Sequence, residues 1–95
     1  MSEKPRPGIS HNPIPGRFSV EVDGETAYLD YEMDDGVMHI THTVVPEAIG
    51  GRGIAGQLVQ AAFDHARSEG RKVRTVCEYA EAWAGRHREV ADLLA

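Results

Sequence analysis

Four glycines within seven residues, Gly50, Gly51, Gly53 and Gly56, separate an apolar run that stops at Val44-Val45-Pro46 from a helical pattern that opens at Ile54. No other stretch constrains the chain as strongly. Proline cannot donate to a sheet ladder, so Pro46 ends a strand and leaves a neighbouring edge open. Glycines let main-chain N–H groups turn towards a ligand, and the N-terminus of the following helix adds partial positive charge at the same place. The combination suits a phosphate or pyrophosphate. The plainer reading is a tight strand-to-helix connection.

Upstream of the turn, Phe18, Val20 and Val22 alternate with polar residues, as do Ala27, Leu29, Tyr31 and Met33. This is the period of half-buried strands. Asp23-Gly24 and Asp35-Gly36 separate these runs from each other and from a third strand over residues 37–45, and Asp-Gly is the dipeptide that hairpin turns with positive φ prefer. Three antiparallel strands in a meander follow. Downstream, Ile54, Ala55, Leu58, Val59, Ala62, Phe63 and Ala66 mark one face of a helix from about Gly53 to Glu69, with Gly70 as its cap. Residues 71–77 favour a strand, which the intervening helix makes parallel to the third. Trp83, His87, Val90 and Leu94 then recur at helical spacing, with Gly85 as a weak point. The fold class is α/β with a mixed sheet: meander, helix, parallel fourth strand, C-terminal helix.

The first 16 residues hold four of the five prolines among polar residues and are expected to build no regular element, leaving residues 17–95 as the domain. At 95 residues there is room for one core. The net charge of −5 and acidic pI near 5.4 argue against unspecific binding to nucleic acid or anionic membrane. A single cysteine forms no internal disulfide, and no apolar N-terminal run resembles a signal or membrane span. The simplest address is the cytoplasm.

The arrangement Val45-x-x-x-x-Gly50-Gly51-x-Gly53-Ile54-Ala55, then an amphipathic helix, a strand and Cys77, resembles the GNAT superfamily of N-acetyltransferases, and more closely its small stand-alone members. Arg17-Phe18, His42-Thr43 and the closing Arg86-His87-x-Glu89-x-Ala91-Asp92-Leu93 carry the same resemblance, which runs from about Arg17 to Leu94. It implies that the glycine turn holds the pyrophosphate of acetyl-coenzyme A while the preceding strand edge pairs with the pantetheine arm. On that reading main-chain donors come from Gly51, Arg52, Gly53, Ile54, Ala55 and Gly56, with Val44 and Val45 offering strand edge and the Arg52 side chain reaching for a phosphate oxygen. Two departures stand out: Gly50 replaces the family's usual Arg or Gln, and Arg88 stands where Pro is frequent, which leaves the last helix free to run on.

Three side chains are candidates for chemistry. Cys77 would lie beside the thioester, as an acetyl-accepting thiolate or as simple packing. His42 is a candidate base towards an amine or Cys77, or a satisfied histidine of the sheet. Tyr79, two residues after Cys77, is a candidate acid for the leaving thiolate, with ring packing as the plainer reading. His39 and His42, three residues apart on a strand, are expected on opposite faces, and no metal site is foreseen. The expected activity is acetyl transfer to an amine by a monomer or weak dimer. The alternatives are a coenzyme A-binding module without turnover and an interaction domain that has lost the ligand.

Overall fold

The structure is a computed structural model and describes residues 8–95. Five strands form one sheet in sequential order: β1 Ile9–Pro13, β2 Gly16–Val22, β3 Glu25–Asp34, β4 Val37–Val44 and β5 Lys72–Thr75. The first four run antiparallel and β5 runs parallel to β4. Helix α1, Ile54–Ser68, makes the crossover between them; α2, Glu78–Gly85, follows β5, and a 3₁₀ segment, Arg88–Leu93, closes the chain. Both Asp-Gly pairs turn as expected. Asp23, Gly24, Asp35 and Gly36 all adopt positive φ, which matches the twist of a two-residue hairpin.

The mixed sheet and its parallel crossover agree with the sequence expectation, but the meander has four strands rather than three. The expectation that residues 1–16 build no regular element is corrected at Ile9–Pro13, which pair with β2 from Ile9–Val20 to Pro13–Gly16. Residues 1–7 lie outside the described residues. Proline is tolerated here because β1 is the edge strand and Pro13 is its last residue, so no interior ladder bond is lost. Ile9 is buried, and the His11 ring stacks on Phe18 with centroids 4.1 Å apart and meets His65 of α1 edge-on at 4.4 Å.

All helices cover one face of the sheet. Phe18, Leu29, Ile40 and Val73 point inward and are buried together with Leu58, Val59, Ala62 and Phe63 of α1. Each of these side chains other than Ala62 contributes about 2 kcal/mol on burial. Arg67 of α1 grips Asp92 and the Glu89 carbonyl, while Lys72 donates to the Asp92 carbonyl, so the 3₁₀ segment is tied to both α1 and β5. Leu94 bridges Val73 and the Ala95 N–H donates to the Val73 carbonyl, covering the outer edge of β5. The opposite sheet face stays open and polar. There Arg17 pairs with Asp30 at 2.6 Å and its guanidinium lies 3.9 Å over the Tyr28 ring.

Helix α2 does not run on past Gly85, contrary to what Arg88 in place of proline suggested. Gly85 is a weak helix former, and His87 takes an extended conformation in which its Nδ1–H donates to the Trp83 carbonyl while its ring stacks on Trp83. That side chain competes with helix continuation as proline would.

Burial lowers the His11 pKa below 6.5, with the neighbouring His65 acting in the same direction and Glu69 against it. Burial also raises that of Tyr31, whose hydroxyl is hydrogen-bonded to His11 Nε2. The folded protein therefore binds the His11 proton more weakly than the unfolded chain does. The His11 contribution to stability is complete above pH 6.5 and is lost as pH falls below it through the depressed folded value. Tyr31 acts at the other end: its contribution holds below pH 10 and is lost as pH rises through the raised folded value. We expect the melting temperature to fall from neutral pH to well below 6.5, and His11→Phe, which keeps a ring on Phe18, to reduce that fall. An unchanged pH slope in the variant would show that His11 is not its source.

Candidate functional site

The site begins where β4 and β5 part. Their pairing covers only Val37–Lys72 to Ile40–Thr75, whereas β4 stays paired with β3 as far as Val44. At Ile40 the N–H groups of both Val76 and Cys77 converge on one carbonyl, each at 3.0 Å, and the chain turns away into α2. The β3–β4 register slips between Asp30 and Tyr31, which leaves Thr41 as the extra residue of a bulge. Residues 41–45 consequently have no strand on the β5 side. Pro46 was expected to open this edge, but the divergence starts five residues earlier.

Past β4, a single 3₁₀ turn, Glu47–Ile49, anchored by buried Ile49, leads into the glycines. Gly51 and Gly53 adopt φ of 77° and 75°, the left-handed region where a β-carbon is strained. Gly53 is the N-cap of α1, with no side-chain cap and no acidic residue in the first turn. The first main-chain donor of the helix to find a partner is Gln57, bonded to the Gly53 carbonyl. Among the described residues, the N–H groups of residues 51–56 thus have no main-chain or side-chain acceptor. Gly51, Gly53, Ile54 and Ala55 line a cavity of about 250 Å³ together with Val45, Gly50 and Tyr79. Among the described residues, no ionisable side chain other than Tyr79 lines it. An unprotonated, multiply negative group would meet helix-end N–H donors there with no carboxylate opposing it.

Of the side chains singled out in the sequence, Val45, Ile54, Ala55 and Tyr79 come together at this cavity with the backbone of Gly51 and Gly53. Gly56 sits just inside the helix, beneath the Tyr79 hydroxyl. Val44 is exposed at the end of β4. Arg52 turns away: its guanidinium pairs with Asp23 of the β2–β3 hairpin at 2.8 Å, both side chains about half exposed or more. Cys77 is not on a strand, because β5 ends at Thr75; it is the N-cap residue of α2, half-buried, with Sγ 3.5 Å from Thr43 Oγ1.

His42 lies elsewhere. It pairs across with Asp30 and Thr43 pairs with buried Leu29, so His42 occupies the open face while Thr43 and the Cys77 thiol share the helix side. His42 is exposed, its Nδ1 3.2 Å from Thr41 Oγ1. The expectation that His39 and His42 occupy opposite faces is corrected as well. The bulge at Thr41 resets the alternation, and their partners Glu32 and Asp30 are two apart on β3, so both histidines are on the open face. Even so, no group of three or more His, Cys, Asp or Glu among the described residues could hold a metal. No described helix is long and apolar enough to cross a membrane.

Sequence reasoning missed two features of the site. The bulge leaves no mark, since Thr41 is an ordinary strand residue. Gly50, noted only as a lost arginine or glutamine, lines the cavity itself.

The GCN5-related N-acetyl-transferase family matches residues 17–93. Protein NATD1 of Mus musculus is 35% identical over 78 residues, 79% of this chain and 71% of the mouse protein. The Homo sapiens Protein NATD1 is 33% identical over the same share of this chain and 69% of its own length. In three dimensions, the solution structure of a GCN5-like protein from Staphylococcus aureus superposes with a TM-score of 0.74, covering 92% of this chain and 86% of the other at 24% identity. At that identity the likeness is one of fold.

A β-carbon on Gly53 would meet nothing within 4 Å, so its replacement tests backbone strain without a clash. Gly53→Ala is expected to cost about 1 kcal/mol and to lower the melting temperature by about 4–8 °C. A variant as stable as the parent would mean that the turn tolerates another path.

Proposed function

The chain belongs to the GCN5-related N-acetyltransferase family, and from that premise we propose that it binds acetyl-coenzyme A at the glycine turn and transfers the acetyl group to an amine. The observation that carries the reading is that the N–H groups over residues 51–56 have no partner among the described residues, and that Gly51, Gly53, Ile54 and Ala55 line a cavity with no carboxylate among its described lining. Pyrophosphate oxygens fit such a row by charge and by hydrogen-bonding capacity. The open β4 edge over residues 41–45 offers main-chain groups to the pantetheine amides, as an added strand would take them. Val44 and Val45 belong to this edge. Arg52 would contribute to phosphate binding only after leaving Asp23, an exchange that costs little because exposed pairs are worth about 0–1 kcal/mol.

Transfer by direct attack fits the arrangement better than a relay through Cys77. A relay needs a base beside the thiol, and His42 is on the other face of β4. On the open face, His42 would take the proton that the amine sheds as its bond to the acetyl carbon forms. Tyr79, whose hydroxyl lies over the first turn of α1 at the pyrophosphate end of the cavity, would serve the coenzyme there, and the sulfur would take its proton from water as the carbon–sulfur bond breaks. Half-buried Cys77 then serves as packing and as a partner of Thr43.

A coenzyme-binding module without turnover is the second reading. It is favoured by the separation of His42, Cys77 and Tyr79, which share no hydrogen bond.

Calorimetric titration with acetyl-coenzyme A, followed by intact-mass analysis and an amine screen, tests these readings. We expect binding to the parent, at least roughly tenfold weaker binding to Gly53→Val, and amine acetylation that Cys77→Ala retains within roughly twofold. Acetyl mass on the protein that disappears with Cys77→Ala would overturn direct attack. Binding with no acetylated amine would select the module, and no binding would remove the turn as a coenzyme site.

A further inference from the structure

Trp83 recurs at helical spacing in the sequence, and its ring is part of the core. It is 5% exposed, stacked on His87 at 3.8 Å between centroids and on Phe63 at 5.6 Å. Its polar atom does something that packing does not require. Trp83 Nε1 lies beside the first turn of α1, 3.3 Å from where a β-carbon on Gly56 would begin, and the Tyr79 hydroxyl, which lines the neighbouring cavity, approaches the same point to 3.5 Å.

The indole N–H can only donate, and it finds no acceptor among the described residues. Every fully enclosed side-chain nitrogen or oxygen of the described chain has a partner, so this unpaired N–H must remain within reach of solvent or ligand. Phenylalanine would satisfy the stacking on Phe63 and His87 equally well, so packing alone does not call for the indole N–H. Glycine at position 56 fits the same picture, since any side chain there would crowd Nε1. The position matters most. Nε1 sits beside the helix end whose main-chain donors over residues 51–56 also have no partner among the described residues.

We propose that the Trp83 indole N–H is a ligand-binding group, donating a hydrogen bond to an acceptor oxygen of the coenzyme's pyrophosphate over the first turn of α1. The proposal rests on the coenzyme reading of the glycine turn and adds a residue from a different helix to it. Helix α2 thereby becomes part of the phosphate site as well as a neighbour of the thioester. The stacking on Phe63 and His87 holds the donor in place before the ligand arrives, so little freedom is lost on binding.

The chain has one tryptophan, so a nitrogen-15 correlation spectrum contains a single indole N–H signal. Coenzyme A is titrated into the intact protein while that signal is followed, and affinity is measured in parallel for the parent and Trp83→Phe. We expect the indole proton to move downfield in step with saturation. Trp83→Phe, shown folded by circular dichroism, is expected to bind coenzyme A about fivefold more weakly, the effect of losing one hydrogen bond of about 1 kcal/mol. A stationary indole signal in a parent that binds coenzyme A would overturn the proposal and leave the coenzyme site standing, as would equal affinity in a folded variant. Should the variant not fold, the indole signal of the parent decides. A parent that binds no coenzyme A removes the site and this proposal together.

Discussion

One carbonyl organises the functional half of the molecule. The oxygen of Ile40 accepts from both Val76 and Cys77, and with it the β4–β5 pairing ends. β4 cannot follow β5 away from the sheet, because β3 holds it as far as Val44. One side of β4 is therefore fully paired and the other is left without a strand, a condition that main-chain groups tolerate only with water or a ligand as partner. The departure of β5 at this point also sets the start of α2, and so the positions of Cys77, Tyr79 and Trp83. Had the two strands remained zipped to Val44, neither the cavity nor the open edge would exist.

The glycine turn supplies the complementary half. Its left-handed residues reverse the chain in few steps, and a helix begins with neither a capping side chain nor a nearby acid to satisfy its donors. Most helices avoid this state, since Ser, Thr, Asp or Asn at the N-cap is worth about 1 kcal/mol. A chain that forgoes that stabilisation keeps the donors available for something external. Electrostatically the site is local: the molecule carries a net charge of −5, yet the described lining of the cavity combines apolar side chains, the glycine-turn backbone and the Tyr79 side chain, with no carboxylate.

What the sequence revealed follows the range of the interactions involved. The Asp-Gly hairpins, the periodicity of α1 and the parallel crossover depend on residues close in sequence, and all were legible. The fate of Ile9–Pro13 depended on Phe18, Tyr31 and His65, partners from three different elements, against which four prolines were a misleading local signal. The bulge at Thr41 was invisible for the same reason. It arises from how β3 and β4 share the twist, and it alone moves His42 to the face shared with His39. Arg52 was judged by its neighbours in the turn, whereas Asp23 lies 29 residues away. At the site, the glycine turn could be read in advance; the bulge and the directions of Arg52 and His42 could not.

The docked first strand also separates two units that are easily equated. Similarity to the family spans residues 17–93, while the sheet starts at Ile9. Cutting the chain to the region of similarity would strip β2 of its outer neighbour along its whole pairing with β1 and uncover Phe18, whose ring lies against His11. β2 would then be an unprotected edge beside an apolar patch, the arrangement that invites one chain to pair with another. The evolutionary module and the cooperative folding unit of this protein differ by one strand, and it is the larger of the two that keeps the sheet to itself.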